Sequence, residues 1–99
     1  MNVKIQSIKF DADKKLIDFI NSKVNKLDRF YDNILSAEVF LRLENSQDLE
    51  NKIAEIRLDI PGNDLFAERK CKTFEEAIDE CVDALKRQVD KHKEKQRGV

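Results

Sequence analysis

The sequence predicts an α+β two-layer sandwich of order β-α-β-β-β-α, a four-stranded sheet with both helices on one face. Strict period-two alternation marks 36–44 and 52–60 as strands, and apolar residues at three- and four-residue steps mark 13–31 and 74–95 as helices. The order then sets the topology. A strand, a helix and a strand imply a parallel crossover, and three strands on short connections imply an antiparallel meander.

In VKIQSIKF, Val3 and Ile5 share one face and Lys4 and Gln6 the other, as in a half-buried first strand within 2–9. From about Asp13, Leu16, Ile20, Val24, Leu27 and Tyr31 form the stripe of the first helix, widened by Ile17 and Phe30. SAEVFLRLE and KIAEIRLDI send Ala37, Val39, Leu41 and Leu43, then Ala54, Ile56, Leu58 and Ile60, to one side. NSQDLEN between them is a polar loop. PGND sets Pro61 and Gly62 at the two central positions of a type II turn, leading to a fourth strand over about 64–71. Thr73 and Glu76 have capping-box spacing. Behind them Phe74, Ile78, Cys81, Val82, Leu85 and Val89 make the stripe of the second helix. The outward strand positions, Glu38, Phe40, Arg42, Glu44, Glu55, Arg57, Asp59, Phe66, Glu68 and Lys70, mix signs as a solvated, cross-paired face does. Phe40 and Phe66 are its only aromatics, and two stray rings are weak grounds for base stacking.

Ninety-nine residues with 40% apolar content suit one domain, 1–99, with a frayed tail over about 96–99. No window approaches a membrane span and no signal-like segment opens the chain, so a cytoplasmic protein without a membrane partner is expected. Cys71 and Cys81 read as reduced thiols, with Cys81 in the core of the second helix. Two cysteines and one histidine fall short of a structural zinc set, so no metal is expected. The chain has no Gly-rich phosphate loop, Ser-His-Asp set or convincing carboxylate pair. It therefore reads as a non-enzyme with no cofactor and no small-molecule substrate.

Charge is where the sequence becomes specific. The formal net charge is −1, yet the second helix is polarised. Its front half holds Glu75, Glu76, Asp79, Glu80 and Asp83 with no Lys or Arg. From Ala84 to Val99, six bases (Lys86, Arg87, Lys91, Lys93, Lys95, Arg97) face two acids (Asp90, Glu94), a balance of +4. The helix dipole accounts for part of this, and Asp83 with Arg87 has the spacing of a supporting pair. The dipole effect fades within the last turn, whereas the cations begin about three turns from the end. Arg87, Lys91 and Lys95, at steps of four, form a row able to follow a phosphate backbone, and Lys23 and Lys26 on the first helix are expected to share a groove with it. His92, between two lysines, reads as a packing or RNA-contacting residue rather than a proton shuttle.

FEEAIDECVDALKRQVDKHKEK resembles the closing helix of the ribosome hibernation promoting factor and protein Y family, in Ala77-Ile78-Asp79, Leu85, Arg87-Gln88 and Lys91-His92-Lys93 followed by Lys95. The front half is similar too, with Phe19, Lys23, Lys26, Leu27, Phe30-Tyr31, Asp32 and Ile34 at the family's spacing. The resemblance spans nearly the whole chain and is to the short form. It implies a fold like that of double-stranded RNA-binding domains, and a protein, monomeric when free, that binds the small ribosomal subunit in the mRNA and tRNA channel and silences idle ribosomes. The implied ribosomal RNA contacts are Lys23, Lys26, Arg87, Lys91, Lys93 and Lys95, with His92. Ala84 departs from the family, which often has lysine there, with Lys86 a nearby charge. The alternatives are a general duplex-RNA module and an interaction domain that docks a basic protein on the acidic stretch 75–83.

Overall fold

The computed structural model describes residues 1–45, 47 and 49–96, the side chain of Gln96 excepted. Its elements are β1 (Asn2–Ser7), α1 (Lys14–Asn25), a 3₁₀ turn (Lys26–Arg29), β2 (Ser36–Leu43), β3 (Lys52–Ile60), β4 (Asn63–Cys71) and α2 (Phe74–Gln96). The sheet order is β1-β2-β3-β4, with β1 parallel to β2 and the other neighbours antiparallel. The predicted order and pairing are thus both present. Gln96 is the last residue of α2, and the rest of the expected tail, 97–99, lies outside the described residues.

The period-two residues do what a pleated strand requires of them. Val39, Leu41, Ala54, Ile56 and Leu58 are fully buried, and they meet Ile20, Val24 and Leu27 from the first helical segment and Ile78, Cys81, Leu85 and Val89 from α2. Each large aliphatic side chain so buried stabilises the fold by roughly 1.5–3 kcal/mol relative to exposure. At the sheet's end, Phe10 stacks on Phe74 with centroids 5.1 Å apart.

Local chemistry explains the element ends. Asp13 Oδ1 accepts from the Leu16 N–H at 2.8 Å and caps α1, and Thr73 Oγ1 accepts from the Glu76 N–H at 3.1 Å and caps α2. Gly62, at φ 79°, takes the left-handed position of the predicted type II turn. The first helix departs from the expected continuous run over 13–31. Asn25 donates its side-chain amide to the Asn21 carbonyl at 2.8 Å, competing with the helix ladder, and the backbone then tightens into the 3₁₀ turn. Leu27 and Tyr31 are buried nonetheless, because a helical path persists through the change.

The other face of the sheet is tied by ions. Arg42 donates to Glu55 and, at 3.1 Å, to Glu68, while Lys70 pairs with Glu44 at 2.7 Å. The hydrogen bond to Glu55 is the main reason that the Arg42 pKa rises further. Phe40 lies opposite Glu55 on β3 and Phe66 opposite Arg57, so the two rings sit on non-adjacent strands in different rows and make no shared platform.

Candidate nucleic-acid interface

Both helices lie on one side of the sheet and run side by side in the same direction. Going along them, Lys23 meets Asp79, Phe30 meets Lys86, and Tyr31 meets His92. At 100° per residue, these contacts give α2 two distinct flanks. Asp79, Val82, Lys86 and Lys93 occupy the flank toward α1. Glu80, Ala84, Arg87, Lys91 and Lys95 occupy the flank toward β4, where Glu80 Oε1 lies 3.9 Å from Arg69 Nε.

The single groove expected from sequence is therefore divided. Lys23 reaches α2 on one flank, whereas Arg87, Lys91 and Lys95 lie on the other. Lys23 Nζ sits 3.1 Å from Asp79 Oδ1 and 5.5 Å from the centroid of the Phe19 ring. Lys26 is exposed on the 3₁₀ turn, one helical step further along the side that faces α2. In place of the expected row, Lys86 closes the inter-helix cleft, its ammonium 4.3 Å from the centroid of Phe30. Such a contact is worth about 0.5–1 kcal/mol at an exposed site. Lys86 lies 200° round the helix from buried Ala84, so its charge does not occupy the place of a lysine at 84.

The β4 flank is built differently. Gln88 Nε2 donates to the Phe66 carbonyl at 2.8 Å, fastening α2 to the edge of β4. Beside it, Asn63, Leu65, Gln88, Lys91, His92 and Lys95 line a pocket of ≈ 180 Å³. Lys91 and Lys95 are exposed at its rim, as is Arg87 nearby, and Lys93 is half-buried on the opposite flank. The His92 ring packs edge-on against Tyr31 at 5.6 Å, and its Nε2 is buried with no hydrogen-bond partner among the described residues. His92 is thus a packing residue at the base of a cationic rim.

Two acids of the front half are engaged with other elements. Asp79 holds Lys23, and Glu80 accepts from Cys71 Sγ at 3.0 Å as well as facing Arg69. Asp83 and Arg87, spaced for a helix pair, are not in ion-pair contact. Burial pushes the thiols of Cys71 and Cys81 up to about 12, with Glu80 reinforcing the shift at Cys71. Cys81 donates to the Ala54 carbonyl at 3.3 Å. Both thiols are therefore protonated core groups, not nucleophiles.

The roles of Lys86 and Asp79 escaped the sequence reading. Its wheel for each helix was sound, but the mutual placement of the wheels decides the partners. Among the described residues, Arg87, Lys91, Lys93 and Lys95 make no ion pair, so the last turns of α2 present cations on both flanks.

A family model described as sigma 54 modulation protein / S30EA ribosomal protein matches residues 3–97. The chain belongs to this family. A ribosome hibernation promoting factor of Azotobacter vinelandii is 35% identical over 97% of this chain and 86% of its own length. A ribosome hibernation promotion factor of Bacillus subtilis is 30% identical over 96% of this chain and 50% of its own length. Among solved structures, the Thermus thermophilus protein Y N-terminal domain superposes with a TM-score of 0.80 at 31% identity, covering 93% of this chain and 99% of that one. A ribosomal subunit interface protein from Coxiella burnetii shares the fold, with a TM-score of 0.83 at 17% identity over 94% of this chain and 98% of its own. These family names denote ribosome-associated factors rather than enzymes. Among the described residues, no helix is long and apolar enough to cross a membrane.

Proposed function

We propose that this protein is a cytoplasmic ribosome hibernation factor that acts as one domain, monomeric when free, and silences translation by occupying the mRNA and tRNA channel of the small ribosomal subunit. The observation that carries the reading is the cationic end of α2, where Arg87, Lys91, Lys93 and Lys95 lack carboxylate partners among the described residues in a chain of formal net charge −1. Unneutralised lysines and arginines on two flanks of one helix end suit the phosphates of a folded RNA, which approach from more than one direction. Lys26 extends the cationic surface onto the first helical segment. Lys23 is occupied by Asp79 at 3.1 Å, and His92 supports the surface from beneath.

Inhibition by this route requires no bond to be made or broken. A protein seated in the channel excludes messenger and tRNA by volume, and the phosphate contacts hold it there through counterion release. The relatives named for ribosome hibernation support the same reading.

The test is sedimentation of the purified protein with ribosomes through sucrose gradients at rising salt. Co-migration with the small subunit should weaken roughly tenfold or more over a few-fold rise in salt if several phosphates are engaged. Affinity that stays flat with salt, or failure to co-migrate at low salt, would sink the proposal. Free duplex RNA bound as tightly as ribosomes would replace it with a general duplex-RNA module.

A further inference from the structure

We propose that Asp79 is an internal stand-in for a phosphate, occupying Lys23 so that the cleft between the helices rejects free polyanions. The proposal rests on the RNA-binding reading of the cationic surface and adds to it a residue that sets selectivity. Lys23 Nζ and Asp79 Oδ1 are 3.1 Å apart, with the side chains 34% and 50% exposed. A solvent-exposed pair of this kind is held only weakly, so a well-placed phosphate can displace the carboxylate. The displaced carboxylate stays beside the phosphate, however, and repels it.

Asp79 is reinforced along its own helix. Glu75 and Asp83 stand four residues before and after it, at the spacing of neighbours on one helical face, about 5–6 Å between Cβ atoms. As helix neighbours of Asp79, they add negative charge to the front of the cleft that an anion seated at Lys23 would meet. Further along the same cleft the balance reverses, because Lys86 lies over Phe30 and is paired with no carboxylate among the described residues. The cleft is therefore closed to anions at its front and open at its rear. A free RNA duplex brings a continuous run of phosphates and meets both ends. A target whose phosphates reach only the rear avoids the penalty, which is selectivity by a built-in repulsion rather than by an added attraction.

The experiment compares wild type, Asp79→Asn and the double variant Asp79→Asn/Lys23→Ala on a generic RNA duplex of about 20 base pairs, by fluorescence anisotropy between about 50 and 200 mM salt. Melting curves check that each variant is folded. Asp79→Asn should bind the duplex about three- to tenfold tighter, with a salt slope steeper by about 0.9, the signature of one additional phosphate contact. Adding Lys23→Ala should return both quantities to wild-type values. Unchanged or weaker duplex binding by Asp79→Asn would mean that the pair merely clips α1 to α2, and the proposal fails. Tightening that survives Lys23→Ala overturns it as well, since the effect would then be loss of general negative charge. Ribosome sedimentation in parallel separates the two readings. If wild type ignores ribosomes, the hibernation proposal falls whatever the duplex shows, whereas ribosome binding with no duplex effect removes only the role of Asp79.

Discussion

The two halves of α2 use charge in opposite ways. In the front half, Asp79 is tied to Lys23 on α1, and Glu80 is shared between Arg69 and Cys71 on β4. In the rear half, Lys86 lies over an aromatic ring, and Arg87, Lys91, Lys93 and Lys95 form no ion pair among the described residues. The apolar stripe is continuous beneath both halves, through Ile78, Cys81, Leu85 and Val89. One helix thus fastens the layers with its first turns and offers unmatched charge with its last. A near-zero net charge conceals this arrangement, because an ion pair removes a cation from the surface field while a lone cation adds to it.

The largest expected effect strikes both halves at once. Leu85 is fully buried where they meet, and Leu85→Ala should lower unfolding stability by about 2–5 kcal/mol in a denaturant titration. A loss below about 1 kcal/mol would show that the stripe is not the common foundation.

Next comes charge reversal confined to the rear. Arg87→Glu with Lys91→Glu should weaken ribosome binding on the order of 100-fold at low salt and flatten its salt dependence, with the melting temperature nearly unchanged. Neutralising Glu75 and Glu76 in the front half should shift the same binding only a few-fold, and toward tighter association. Equal effects from the two pairs of substitutions would erase the contrast.

A separate effect, read in stability rather than binding, concerns the thiols beneath the front half. Each has a folded value raised from near 9 to about 12, so the folded state retains its protons after the unfolded chain has lost them. Their stabilising contribution is complete below the unfolded value of about 9. It is lost as pH rises from there to about 12, at about 1.4 kcal/mol per pH unit for each thiol fully in that window. Denaturant melts at pH 8 and pH 10 should show the decline, and Cys81→Ala should make it shallower. A stability that rises with pH in this range would contradict the burial of these groups.

Much of this molecule was legible in its sequence. The strict alternation of Ala37 to Leu43 and Ala54 to Ile60 could only be strands with one face covered, and Pro61-Gly62 and Thr73 marked the turn and the cap that the fold contains. The cross-strand ionic face was also foreseeable, since Arg42, Glu55 and Glu68 alternate outward. The end of α1 was harder. Its apolar spacing continues through Leu27 and Tyr31 whether the backbone is α or 3₁₀, and only the amide of Asn25 marks where the ladder changes.

Taken alone, the chain determined its element order, its buried stripes and the segregation of acids from bases along α2, all of which follow from periodicities of two and 3.6 and from local charge. The tertiary structure alone decided which cations remain available. Lys23 and Asp79 are 56 positions apart, and they meet because the sheet sets the two helices in parallel with particular flanks facing. A helical wheel gives each side chain an angle about its own axis. The neighbour found at that angle depends on how separate elements pack, a relation that no local pattern encodes.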